Sequence, residues 1–196
     1  GAVVGIDVGL ASFATFSNGE KIANPRFFRE EEKELARVQR KHSKAPKGTP
    51  ERKKALKVVE RVHERISNRR TDFAHQISHR LVDQFGFIAF EDLNIQNMLK
   101  NHCLAKSISD VAWGMLVKAT ESKAAYAGSK VVLVDPRNTS QMCSRCGLIV
   151  KKDLSERVHR CHECGLSMDR DLNAAINILR LGLQSVGIKT VEAQVL

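Results

Sequence analysis

The chain opens on a nearly unbroken apolar run, Ala2 to Val8, interrupted only by Gly5 and Asp7. A short run of this kind predicts a buried strand. Ser12 to Phe16 predicts a second strand, and Asn18-Gly19 is a hairpin signal into a third, Lys21 to Asn24. These three are expected to pair antiparallel. Strong helix formers then fill Glu30 to His42, and the prolines and glycine between Ala45 and Pro50 break the pattern. Glu51 to Phe85 resumes it, with Phe73, Ile77, Leu81 and Phe85 four apart along one face. Phe87 to Phe90 predicts a strand stopped by Glu91-Asp92. Ser107 to Ala127 predicts a helix with Val111, Met115, Leu116 and Ala119 on one side. Val131 to Val134 is a wholly apolar strand ended by Asp135-Pro136. After a cysteine-rich stretch, Ala174, Ala175, Ile178 and Leu181 mark a last amphipathic helix, Asp171 to Leu183. No internal repeat or low-complexity tract is present.

Three strands, a helical stretch, strand, helix, strand, helix is the order of an RNase H-like fold. The expected architecture is therefore α/β, with a mixed sheet and helices. Residues 1–139 and 167–196 form its body, 26–85 are a basic helical hairpin within it, and 140–166 are a cysteine-bearing insertion.

Three polar residues sit awkwardly in this pattern. Asp7 lies inside the first strand, Glu91 ends the apolar Phe87–Phe90 run, and Asp171 opens the last helix. Burying a carboxylate without a partner is costly. Each alone also has a plain reading: a turn-former before Gly9, a strand terminus, a helix N-terminal acid favoured by the macrodipole. Together, in an RNase H order, they converge at one sheet edge, where mutual repulsion calls for a cation. Hard oxygen ligands select Mg²⁺ or Mn²⁺, and a pair of such ions is the arrangement that hydrolyses phosphodiesters. Asp92 would point to the opposite face from Glu91, and Asp169 is expected to cap the helix.

Cys143-x2-Cys146 and Cys161-x2-Cys164 are separated by 14 residues. This spacing suits one tetrahedral four-thiolate zinc ribbon, with Gly147 and Gly165 each following a pair. Two disulfides are the alternative, disfavoured by the CxxC geometry. All four ligands come from protein, so one structural Zn²⁺ per chain is expected, with no open position for chemistry. Its four thiolates lower the effective charge to about +8. Cys103 is left over as an inert thiol.

Charge sharpens the picture. The 196 residues carry 32 Lys+Arg against 22 Asp+Glu, a net charge of +10. Between Arg26 and Arg80 there are 17 basic and 8 acidic residues, so nearly all the excess lies in the helical hairpin. Lys53, Lys57, Arg61, Arg69 and Arg70 are the candidate phosphate contacts there. Aromatic residues are only 5% of the chain, too few for a base-stacking platform, so electrostatics would carry affinity. At 42% hydrophobic and 28% charged, the composition is globular. No apolar run reaches the roughly 18–20 residues of a membrane span, and a secretory signal pattern is not seen. A cytoplasmic, nucleoid-associated location without a membrane partner is expected. The start within a strand, without Met, reads as a piece of a longer protein, with Gly1 foreign to it.

At this point the residues resemble a family. GIDVG at Gly5–Gly9, FEDLN at Phe90–Asn94, PRNTSQMCSRCG at Pro136–Gly147, CHECG at Cys161–Gly165 and DRDLNAAINI at Asp169–Ile178 look like the C-terminal part of TnpB. TnpB is the transposon-encoded OrfB protein, related to type V CRISPR effector nucleases. NRRTDFAHQIS at Asn68–Ser78 is also similar to that family's helical stretch. The resemblance implies a RuvC-like nuclease domain interrupted by a zinc ribbon, with Asp7, Glu91 and Asp171 at the Asp-Glu-Asp positions. It further implies Mg²⁺-dependent cleavage of a DNA substrate directed by a guide RNA in the full-length protein. Family members usually carry an N-terminal region that holds the guide and reads the target-adjacent motif, and this chain begins at the first nuclease strand.

Two other readings are kept beside it: a catalytically silent zinc-ribbon regulator or transposition accessory protein, and a dimeric junction resolvase, which the ribbon and hairpin argue against. His75 and His79 form an HxxxH pair without a third ligand, Trp113 reads as core, and Asn173 either approaches the scissile phosphate or supports the helix start.

Overall fold

A computed structural model describes residues 1–93, 113–153 and 155–188. Five strands build one mixed sheet: β1 (Val3–Val8), β2 (Ser12–Phe16), β3 (Lys21–Ala23), β4 (Phe87–Glu91) and β5 (Lys130–Val134). Their spatial order is β3-β2-β1-β4-β5. β1, β2 and β3 pair antiparallel, whereas β1–β4 and β4–β5 are parallel. The parallel pairs need crossovers. Helices α1 (Phe27–Lys44) and α2 (Pro50–Gln84) lie between β1–β3 and β4, and α3 (Trp113–Ala127) lies between β4 and β5. A small hairpin of β6 (Val158–Arg160) and β7 (Ser167–Asp169) runs directly into α4 (Arg170–Ser185).

The sheet is covered on both faces, and strand alternation decides what each face meets. Val4 and Ile6 of β1 and Ile88 and Phe90 of β4 join Ala74, Ile77, Leu81 and Phe85 with Trp113 and Leu116 in the main core. On the opposite face, Phe87 and Ala89 of β4 and Val134 of β5 pack with Ile178 and Leu183 of α4. This helix approaches β1 at backbone distance: a Cβ on Gly5 would lie 2.2 Å from the Ala175 carbonyl oxygen. Gly182 plays the same part against β4, where a Cβ would meet that of Ala89 at 2.7 Å. The small residues let α4 lie flat on the two central strands.

The helical hairpin has its own core of Leu35, Val38, Val59, Val62 and Ile66. Thr49 caps α2 by accepting the Arg52 amide at 3.3 Å, with Pro50 in the first turn. Arg52 reaches back to the carbonyls of His42 and Ala45 at the end of α1. Arg65 and Arg69 pair with Glu31 and Glu30 across the two helices. No helix among the described residues is long and apolar enough to cross a membrane.

The elements follow the sequence pattern closely, with four differences. The first helix begins at Phe27, and β4 runs on to include Glu91. In α3 the buried face is Trp113, Leu116, Thr120 and Ala124, while Met115 is exposed. Spacing from Trp113 sets that face, and Met115, two residues on, is turned by about 200° from Trp113 and points away from it. The β6–β7 hairpin has no sequence counterpart. Residues 94–112, which include Cys103, Val111 and the start of the helix expected from Ser107, lie outside the described residues.

Candidate functional site

The register of the central strands sets the site. Ile6 pairs with Phe90 in the parallel β1–β4 ladder, so Asp7 and Glu91 follow as neighbours on adjacent strands. Both share the face of Gly5 and Ala89, the face that α4 covers. Asp171 lies in the first turn of α4. The sheet and the helix thereby bring the three carboxylates into one neighbourhood, each partly shielded from solvent.

Electrostatics reports that proximity. Burial pushes the Asp7 carboxyl well above its ordinary value, the negative charges of Glu91 and Asp171 push it further, Arg170 opposes them, and Asp169 adds to the rise. Burial also raises Glu91, moderated by a hydrogen bond that it accepts from the Thr139 hydroxyl. The Arg170 Nε donates to Asp171 Oδ1 at 3.2 Å, and another of its nitrogens donates to the Glu156 carbonyl at 3.1 Å.

The adjacent acids have other occupations. Asp92 is exposed. Asp169 caps α4, accepting the amides of Asp171 and Leu172 at 3.0 Å, and pairs with Lys21 at 2.8 Å. Burial alone would raise Asp169, but Lys21 and those amides outweigh it and hold its pKa low.

The cysteines form the tightest cluster. Among the described residues, Cys143, Cys146, Cys161 and Cys164 alone bring three or more potential metal-ligand atoms within 4.8 Å of one another. The Cys143–Cys164 and Cys146–Cys161 sulfurs are 3.6 and 3.5 Å apart. Tetrahedral Zn–S bonds of about 2.3 Å put sulfurs roughly 3.8 Å apart, so the four thiols fit a zinc ion. The two pairs have matching turns. Gly147 and Gly165 adopt φ of 79° and 71°, and their amides donate to the Cys143 and Cys161 carbonyls. The carboxylates are less tightly drawn together, in keeping with like charges that repel and with Arg170 and Thr139 each holding one of them.

Asn173 and Asn177 join the two centres, and both are fully buried. Asn173 donates to the Met142 carbonyl at 2.8 Å and accepts the Ser144 amide at 2.9 Å. Asn177 donates to the carbonyls of Thr139 and Met142 at 2.9 and 2.6 Å. Asn173 therefore holds the first cysteine turn against the helix. Thr139 and Asn177 were invisible to sequence reasoning, though two asparagines four apart on an otherwise apolar helix face are a signal for such a role.

The basic residues divide. Lys53, Lys57 and Arg61 are exposed, four apart on α2, and make no ion pair among the described residues. Arg69 pairs with Glu30 at 2.7 Å and lies over the Phe27 ring at 4.7 Å, so it clamps the hairpin. Arg70 is half-buried beside it. His79 faces Asp83 at 3.4 Å, and Trp113 is buried as expected.

Two family models match this chain. Residues 1–102 match OrfB_IS605, described as a probable transposase, and residues 113–178 match the Cas12f1-like TNB domain. The chain belongs to the OrfB (TnpB) family. A Streptomyces pristinaespiralis relative, named as an RNA-guided DNA endonuclease, is 46% identical over 93% of this chain and 46% of its own length. The CRISPR-associated endodeoxyribonuclease Cas12f1 of Sulfoacidibacillus thermotolerans is 31% identical over 91% of this chain and 44% of its own. This OrfB-family chain thus spans about half the length of these relatives. Its fold resembles one in the cryo-EM structure of a Cas12f1–sgRNA–target DNA complex, with a TM-score of 0.65 at 20% identity. That match covers 90% of this chain and 49% of the other.

Proposed function

We propose that this chain is the RuvC-like, RNase H-fold nuclease portion of an RNA-guided DNA endonuclease. The observation that carries this reading is the meeting of Asp7, Glu91 and Asp171 where two parallel strands end beneath the start of α4. Repulsion between buried carboxylates, felt most by Asp7, is what a divalent cation relieves. Hard oxygen donors fit Mg²⁺ or Mn²⁺, and Asp7, Glu91 and Asp171 would hold them. Two such ions supply an activated water and a stabilised leaving 3′ oxygen when bound.

The chain's own groups do the rest. Burial keeps Asp7 and Glu91 shielded from water, so their charges act at short range in a low dielectric. The exposed Lys53, Lys57 and Arg61 of α2 offer phosphate contacts for a DNA substrate and, in the whole protein, a guide RNA. The four cysteines, on residues 140–166, form a structural zinc ribbon inserted into a nuclease body of residues 1–139 and 167–196. The protein acts in the cytoplasm on nucleoid DNA.

Incubating the chain with single-stranded DNA in Mg²⁺, and then in EDTA, tests the reading. Metal-dependent cleavage lost in Asp7→Ala, Glu91→Ala and Asp171→Ala is the expected result. Cleavage that persists in Asp7→Ala sinks the assignment.

A further inference from the structure

Thr139 is a second kind of participant. Its side chain is buried, and its hydroxyl meets Glu91 Oε1 while lying 3.1 Å from the Pro136 carbonyl oxygen. A hydroxyl has one proton to donate, and an ionised carboxylate is the stronger acceptor. The proton therefore goes to Glu91, and one of its two oxygens is held in place.

Thr139 cannot drift, because its own carbonyl and the backbone that follows it are tied down. Its carbonyl accepts from Asn177 Nδ2 at 2.9 Å, and the same amide group donates at 2.6 Å to Met142, the residue before Cys143. Asn173 grips Met142 as well, and accepts the amide of Ser144, which lies between the first two cysteines. One continuous path thus runs from the first cysteine turn through α4 to Thr139 and Glu91. The path passes through the helix that also carries Asp171.

We propose that Thr139 is a positioning residue that presets the Glu91 carboxylate for a divalent cation, held in register by Asn177 and the folded cysteine turn. This rests on Glu91 being a metal-holding carboxylate, as argued above.

The test is Mn²⁺ binding to the zinc-loaded chain, followed by electron paramagnetic resonance, with zinc content measured on every sample. Thr139→Val keeps the shape and removes the hydroxyl. It should weaken Mn²⁺ binding by about tenfold, the size expected of an outer-shell loss, at unchanged zinc content. Thr139→Ser should restore binding to near wild type, which a purely structural role for the threonine would not predict. Asn177→Ala should weaken binding in the wild type and add little in the Thr139→Val background. Should Asn177→Ala fail to fold, the Val and Ser variants decide alone. Wild-type affinity in Thr139→Val, or no rescue by serine, overturns the proposal while leaving the acidic site intact. Mn²⁺ binding unchanged in Asp7→Ala overturns the acidic-site reading and this proposal with it.

Discussion

Gly5 of β1 lies directly under Ala175 of α4, so close that a Cβ on the glycine would stand 2.2 Å from the Ala175 carbonyl oxygen and 2.5 Å from the Leu179 amide. Those atoms are backbone and cannot swing aside. The contact fixes the distance between helix and sheet, and with it the distance from Asp171 to Asp7.

Gly5→Ala should therefore act at two levels. Overpacking of this kind costs about 1–3 kcal/mol. The melting temperature should fall by roughly 2–4 °C for each kcal/mol in a chain of this size. Lifting α4 should also weaken divalent-cation binding at the acidic site. Calorimetry with and without Mg²⁺ checks both, and an unchanged melting temperature would mean that α4 does not lie against β1 as described.

Asp7 should limit stability in the absence of metal. Its folded pKa lies above the ordinary 3.8. Between those two values the folded chain binds more protons than the unfolded one, so stability falls as pH rises through the window. Glu91, raised from 4.5, acts with the same sign. Asp7→Asn removes the repelling charge. It should melt higher than wild type at pH 7 in EDTA and converge with it under acid conditions, while losing cleavage. Mg²⁺ should raise the wild-type melting temperature but not that of Asp7→Asn. Thermal melts across pH in both buffers supply the measurement.

Zinc should be indispensable to the cysteine region. Its apolar core amounts to Cys143, Cys161 and Leu166, with Leu148, Val150, Cys164 and Met168 packed against them. Leu166 is the one aliphatic side chain buried there, worth about 1.5–3 kcal/mol, and the partly buried Leu148, Val150 and Met168 add less each, against roughly 10–16 from a structural zinc ion. Elemental analysis should find one zinc per chain. Cys161→Ser should lose it, and amides of β6 and β7 should then exchange hydrogen rapidly while those of β1 and β4 stay protected. Slow exchange throughout would show that the hairpin stands without metal.

The basic face and the basic clamp should separate cleanly. Replacing Lys53, Lys57 and Arg61 together with alanine should leave stability within about 0.5 kcal/mol per site. It should weaken DNA binding and reduce the slope of log affinity against log salt by about 2–3. Arg69→Ala should do the reverse, lowering stability through the lost Glu30 and Phe27 contacts with a smaller effect on the salt slope. Salt-series binding assays and denaturant melts tell them apart.

Much of this is legible before any coordinates. Apolar runs and the Asn18-Gly19 turn signal place all five sheet strands, because a strand buried in a core and a tight turn each leave a local compositional mark that does not depend on distant partners. The CxxC pairs declare a four-thiolate centre, because two residues between thiols is a local geometric requirement. Asp7 and Glu91 stand out as charged groups in apolar settings, and Asp171 joins them through the expected order of the fold. Met115 is misplaced by the pattern, since one residue of error in helical phase turns a side chain by about 100°. Thr139 and Asn177 escape notice, since a threonine in a loop and an asparagine on a helix look ordinary until a distant partner arrives.

The sequence by itself determined which segments bury, in what order they come, where the excess charge lies and that four cysteines share a centre. All of these follow from local periodicity, composition and spacing. The tertiary structure decided the register that sets Asp7 beside Glu91, the backbone contact at Gly5 that delivers Asp171, and the amide bonds from Asn173 and Asn177 to the cysteine turn. Those depend on pairings between residues tens of positions apart, where only packing and hydrogen-bond satisfaction in three dimensions choose the partner.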